Sequence, residues 1–307
     1  MKKILALLVS LSLLCCGCAQ TPVQKDDTVH ILATTYPVYL FTTAVADGLT
    51  GEGGSTEVSL LVNEQTSCLH DYTLTVNDMK AIERADIIII NGVGMEDFMD
   101  DALAHSNALV IDCSEGIDLL PATGHHNHDH SEENESDHYD PHIWMSADNA
   151  AIMCANIARG LSEYNESWAA PCQESLNAAC TDLEKLAAEQ AKLTALPRKD
   201  LITFHDGFQY YAAGNGLTLL KSIEEEEGSE ASAAAIKEIV SLIKSHDIPA
   251  VFTEKNGSES TAQAIARETG VTVHSLDMIM SGEGTGLQPY LDAMTANYNT
   301  VIEALGG

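Results

Sequence analysis

The chain has 307 residues, 45% hydrophobic and 20% charged, enough for one large core or two smaller ones and unlike a disordered chain. Lys and Arg number 15 against 46 Asp and Glu, a formal net charge of -31, which argues against nucleic acid as a ligand and favours cations. A solvated acidic surface alone accounts for that surplus, so the charge agrees with a cationic ligand without requiring one.

The first residues read as an export signal rather than as part of the fold. Lys2 and Lys3 precede an apolar run over residues 4–14, too short for a bilayer-spanning stop-transfer helix. Leu14-Cys15-Cys16-Gly17-Cys18 then resembles a lipobox, with Gly17 favouring Cys18 as the lipidated residue and Cys16 second. Cleavage without lipidation is the alternative. The expected organisation is a signal peptide over 1–17, a tether over 18–28 and a domain held outside the cytoplasm at the cell membrane by lipid on Cys18. No other stretch is long and apolar enough to cross a bilayer.

Strand and helix patterns then alternate. Residues 29–34 are apolar and β-branched, 37–49 helical after Pro37, and 57–62 a strand. Residues 77–84 read as a helix capped by Asn77 or Thr75. Asp86-Ile-Ile-Ile-Ile-Asn91, apolar on both faces, suits a buried parallel strand. A helix over 95–105 and a strand over 108–112 complete one α/β lobe. Residues 118–140 break the pattern, being polar, low in complexity and expected to be mobile. Helices follow over 146–163 and 167–193, the second with Pro171 near its start and Leu176, Leu183, Leu186 and Leu193 on one stripe. After Pro197 the alternation resumes: strands at 201–204, 217–223, 250–253 and 271–275, helices at 207–213, 231–246, 258–269 and 287–305, and an acidic loop at 224–230. The fold expected is two α/β lobes with parallel sheets: 29–163 carrying a His-rich loop at 124–140, a connecting helix over 164–196, and 197–307.

Residues 124–144, GHHNHDHSEENESDHYDPHIW, hold six of the twelve histidines: His125, His126, His128, His130, His138 and His142. Imidazole is a common ligand for zinc-like metals, but the first five lie in a low-complexity tract and suit an auxiliary, weak collector. His142 differs, because Pro141 fixes the backbone before it and Ile143 and Trp144 anchor the chain after it. Ligands of open parallel sheets bind beyond the carboxyl ends of strands. His70, His205 and Asp277 all fall just past expected strands, as does Glu254, a second-shell or alternative acid. Three imidazoles and a carboxylate make a tetrahedral N/O set suited to zinc. His30, His105, His246 and His274 are read as packed or surface residues. After Cys18 the thiols are Cys68, Cys113, Cys154, Cys172 and Cys180; without C-x-x-C spacing they read as structural, and a Cys68–Cys113 disulfide stays open.

The same residues carry a resemblance. His70-Asp71-Tyr72, Ala85 to Gly92 with Glu96, Asp140-Pro141-His142-Ile-Trp144, Phe204-His205-Asp206-Gly207-Phe208 with Tyr211, Thr253-Glu254 and Leu276-Asp277 resemble, in order and spacing, the metal-binding solute-binding proteins of ABC importers for zinc and manganese, the cluster A-I type. The resemblance spans 29–305 and implies two α/β lobes, a rigid connecting helix and one metal in the cleft. Carried over position by position, it implies His70, His142, His205 and Asp277 as ligands, an ABC permease as partner and no enzymatic role; a monomer is expected. Manganese binders of the type tend to carry glutamate at the third position, so His205 points to Zn²⁺ over Mn²⁺. The chain departs from the type in lacking the glutamate that commonly follows the aromatic after the first histidine, and in having no cysteine after residue 200. The rival readings are a zinc hydrolase, which would need an open coordination position and shows here no H-E-x-x-H helix or nucleophile elbow, and a surface adhesin or zinc buffer with no permease partner. Protons compete with metal for imidazole, so binding is expected to weaken as pH falls through the histidine range.

Overall fold

The computed structural model describes residues 28–51, 54–63, 69, 72–122, 139–223, 232–255, 257 and 259–306. The expected leader with Cys18, Cys68, His70, the tract histidines His125, His126, His128, His130 and His138, and the glutamates at 224–227 lie outside the described residues.

β1 (Val29–Ala33) leads into α1 (Tyr36–Val45), with Pro37 in its first turn, where a missing N–H costs nothing. The two-residue β2 (Thr50–Gly51) and β3 (Gly54–Leu60) follow. α2 (Val76–Arg84) starts at Thr75, not Asn77: Thr75 Oγ1 accepts the Asp78 N–H and Asp78 Oδ2 accepts the Thr75 N–H, a reciprocal capping box. β4 (Ile87–Ile90), α3 (Asp100–His105) and β5 (Leu109–Asp112) complete a sheet of order β2-β3-β1-β4-β5, parallel except for the β2–β3 edge pair. Ile87, Ile88 and Ile89 are fully buried, as a parallel sheet covered on both faces requires.

α4 (Ala147–Tyr164), capped by Ser146, and α5 (Ala169–Thr194) then lead to β6 (Asp200–Thr203), α6 (Gln209–Gly214), β7 (Thr218–Ser222), α7 (Ala233–His246), β8 (Ala250–Glu254), α8 (Ser260–Thr269), β9 (Thr272–Leu276) and α9 (Gln288–Leu305). The second sheet runs β7-β6-β8-β9, all parallel. Both sheets therefore share one winding, with the topological switch between β1 and β4 in the first and between β6 and β8 in the second. Ligand crevices open at the carboxyl ends of such a switch.

The fold is the expected pair of α/β lobes with a long helix. At 26 residues, α5 is about 39 Å long at ~1.5 Å per residue. It buries Cys172, Ala179, Leu183, Leu186 and Leu193 on one stripe, with Leu176 half-buried. That stripe belongs to a continuous apolar cluster reaching from Ile31 and Ile89 to Leu201, Phe252 and Leu305, so one core joins both sheets. Smaller clusters back the outer faces, around Ile82 and Ile88 in the first lobe and around Ile239, Val251 and Ile265 in the second. No helix among the described residues is long and apolar enough to cross a membrane.

One expected element changes. The helix expected over 95–105 is reduced to a 3₁₀ turn at Asp97–Met99 and the short α3. Gly92, Val93 and Gly94 all have positive φ (84°, 58° and 78°), a left-handed run that delays the right-handed helix. The buried Glu96 side chain holds this turn. Its Oε1 accepts from Thr34 Oγ1 (2.6 Å) and the Asn91 N–H (2.7 Å), and its Oε2 from the Gly92 N–H (3.0 Å).

Candidate metal centre

The two switch points supply the parts. β6 ends at Thr203, whose hydroxyl donates to the His205 carbonyl at 2.9 Å and fixes the backbone that carries this imidazole. At the end of β8, Glu254 Oε1 lies 3.4 Å from His205 Nδ1. Gly207 follows closely: a Cβ there would stand 3.0 Å from the His205 ring and 3.1 Å from the His142 ring, besides striking Met278.

His142 is held from the first lobe. Asn91, at the end of β4, donates its amide to the Pro141 carbonyl at 2.9 Å. Asp140 Oδ1 accepts both the His142 N–H (2.9 Å) and His142 Nδ1 (2.7 Å). The following turn, Ile143–Met145, is fully buried and crosses to the second lobe. There Trp144 Nε1 donates to the Met278 carbonyl at 2.9 Å, and the Tyr290 hydroxyl donates to the Trp144 carbonyl at 2.7 Å.

These supports set the chemistry of the rings. A carboxylate only accepts, so His142 carries its proton on Nδ1 toward Asp140, leaving the Nε2 lone pair free. Glu254 lies on the same side of the His205 ring but farther off, its Oε1 3.4 Å from Nδ1, an ion-pair contact rather than a short hydrogen bond. The two Nε2 atoms face one another at 3.4 Å, both rings buried. Two lone pairs at that distance repel unless a proton or a cation lies between them. In tetrahedral zinc with bonds of about 2.0–2.1 Å, two ligand nitrogens stand ~3.4 Å apart.

Asp277 lies just beyond β9. Asn297 on α9 grips its backbone twice, accepting the Asp277 N–H and donating to its carbonyl, each at 2.8 Å. Asp277 Oδ1 accepts the Ile279 N–H at 2.8 Å, bracing a β-branched residue held at φ 62°. Its Oδ2 receives the Lys255 ammonium at 2.9 Å. The structure therefore pairs His142 with His205 and gives Asp277 a lysine partner. Among the described residues, no three His, Cys, Asp or Glu side chains already form a metal cluster.

Among the described residues the other four histidines are engaged elsewhere: His30 with Glu57 at 3.1 Å, His105 with the Asp101 carbonyl at 2.7 Å, His246 with Asp200 at 3.1 Å and His274 with Thr272 at 2.9 Å. Cys113, Cys154, Cys172 and Cys180 are free thiols, so Cys113 is not in the disulfide weighed with Cys68. Burial pushes the Cys113 and Cys154 thiols well up, away from the thiolate that binds metal.

A family model described as zinc-uptake complex component A, periplasmic (ZnuA), matches residues 31–304. The chain belongs to that family. The zinc-binding lipoprotein AdcA of Streptococcus pneumoniae is 29% identical over 97% of this chain, which spans only 60% of the length of AdcA. A crystal structure of ZnuA superposes with a TM-score of 0.75 at 26% identity, covering 91% of this chain and 99% of that one. A laminin-binding adhesin, Lmb, from Streptococcus agalactiae reaches 0.75 at 25% identity over 90% of this chain and 98% of its own.

For this member of the ZnuA family, sequence reasoning singled out the histidines but gave no role to Asp140, Asn91, Asn297 or Lys255. Asp140 was the findable one: an acid two residues before a ligand candidate and fixed by Pro141. The other three act through contacts between elements distant in sequence, and no local pattern signals them.

Proposed function

We propose that the protein is an extracytoplasmic receptor that captures Zn²⁺ and passes it to the permease of an ABC importer, tethered to the membrane through lipid on Cys18. The division into lobes at 29–163 and 197–307 around a connecting segment at 164–196 belongs to the same reading. His142, His205 and Asp277, with His70, are the proposed ligands. Glu254 orients His205, and the five histidines of the 124–138 tract form a weaker auxiliary collector. The observation that carries this is the pair of Nε2 atoms 3.4 Å apart, each ring with a carboxylate at Nδ1. Imidazole-rich donors suit zinc more than manganese, which favours carboxylate, carbonyl and water oxygen. Four protein ligands would leave no position open for an activated water, so transport rather than hydrolysis follows. The likeness to Lmb supports adhesion as a second reading, with the same metal site.

Competition calorimetry on purified protein lacking residues 124–137 tests the assignment. One tight zinc site is expected to remain; its loss would make the tract the binder. In the full chain, His205→Ala should weaken zinc binding more than about 100-fold, beyond the ~10–100-fold cost of losing a ligand-orienting group, while His128→Ala changes it little. Equal effects would remove the proposed cage.

A further inference from the structure

Two adjacent residues at the end of β8 treat the proposed ligands in opposite ways. Glu254 faces the His205 ring, whereas Lys255 directs its ammonium at Asp277. Register explains the second contact. Glu254 pairs with Leu276 across the parallel β8–β9 ladder, and the Lys255 N–H donates to the Leu276 carbonyl at 2.9 Å. The next residue on each strand, Lys255 and Asp277, therefore stands beside the other. Asp277 cannot swing to meet a new partner freely, because Oδ1 is tied to the Ile279 N–H and the backbone to Asn297. Oδ2 is the oxygen whose partner can leave. The Lys255 side chain is 67% exposed on a flexible stem, so water takes over its charge when it withdraws.

We propose that Lys255 is a built-in competitor for the cation, a residue that sets affinity and release at this site. Its ammonium holds Asp277 Oδ2, and an arriving metal must displace it before using that oxygen. On release the ammonium returns, so the carboxylate is not left without a countercharge as the metal departs. This lowers affinity and makes unloading easier than at an unopposed carboxylate. The inference rests on Asp277 being a ligand.

Zinc affinities measured by chelator-competition calorimetry on the full chain test it, with Lys255→Gln, Lys255→Arg, Asp277→Asn, the Lys255→Gln/Asp277→Asn double variant and Lys221→Gln as a charge control. Lys221 lies on β7 and pairs with Glu238 at 3.8 Å. Lys255→Gln should tighten zinc binding about two- to fivefold, the range expected for removing an exposed competing charge. Lys255→Arg should stay near wild type, and Lys221→Gln should change affinity much less. In the Asp277→Asn background, Lys255→Gln should have no effect. Unchanged or weaker binding by Lys255→Gln, or equal tightening by Lys221→Gln or in the Asp277→Asn background, overturns the competitor role. If Asp277→Asn itself leaves affinity unchanged, the ligand assignment fails instead, and the competitor role with it.

Discussion

Asp140 accepts at His142 Nδ1, which turns the Nε2 lone pair inward, and the ring cannot rotate away without stranding a buried carboxylate; Glu254 Oε1 stands farther from the other ring, 3.4 Å from His205 Nδ1, as an ion-pair contact. Glu96 is another buried acid, with a different task, since its oxygens hold the Asn91–Gly92 turn from which Asn91 reaches Pro141. Burial pushes its pKa up to about 7, against the downward pull of the hydrogen bonds from Thr34, Asn91 and Gly92. A carboxyl raised in the fold stabilises it fully below the unfolded value, and that contribution is lost as pH rises through the folded one. The window here runs from about pH 4.5 to 7 and amounts to roughly 3 kcal/mol. Urea unfolding of the wild type should therefore show this loss between pH 5 and 7.5 and Glu96→Gln should not; a stability difference between the two that is constant with pH would contradict it.

The elements place these residues by ending where they do. β4 stops at Ile90, just before Asn91, β6 at Thr203, two residues before His205, β8 at Glu254 and β9 at Leu276, just before Asp277. These ends were legible because apolar β-branched runs mark buried parallel strands, and the candidate ligands stood out as polar residues directly after them. The helix expected over 95–105 was not, because Val93 looks like a helix-compatible residue until the left-handed turn around it is known. Packing between elements was equally hidden. Gly160, in the interior of α4, has no room for a methyl group: a Cβ would come within 2.5 Å of Ile111 Cδ1 and 3.0 Å of its Cγ2 on β5. Replacing helical glycine with alanine usually gains ~1 kcal/mol, but overpacking against a buried β-branched side chain costs about 1–3 kcal/mol. Gly160→Ala should lower stability by about 1 kcal/mol in chemical denaturation; a stabilised variant would show that the helix and sheet can separate at no cost.

At the scale of the molecule, the continuous core along α5 fixes one wall of the site and polar contacts fix the other. Trp144 reaches the Met278 carbonyl, Tyr36 donates to the Glu283 carbonyl at 2.7 Å, and Asn63 exchanges two hydrogen bonds with Gly282, each at 3.2 Å. The site therefore depends on the first lobe's 140–145 segment meeting the second lobe's strand ends. That convergence is why the sequence yielded candidates singly and not their pairing: His142 and His205 are 63 positions apart, and only the fold turns both Nε2 atoms to one point. The Lys255–Asp277 contact was hidden for the same reason, since it follows from the β8–β9 register. The most direct test of the central claim is anomalous diffraction at the zinc edge from crystals of the zinc-loaded protein. The account predicts one strong peak bonded to His142 Nε2 and His205 Nε2, with Asp277 and His70 completing the shell. A peak confined to the 124–138 tract, or one that leaves His142 and His205 uncoordinated, would contradict it.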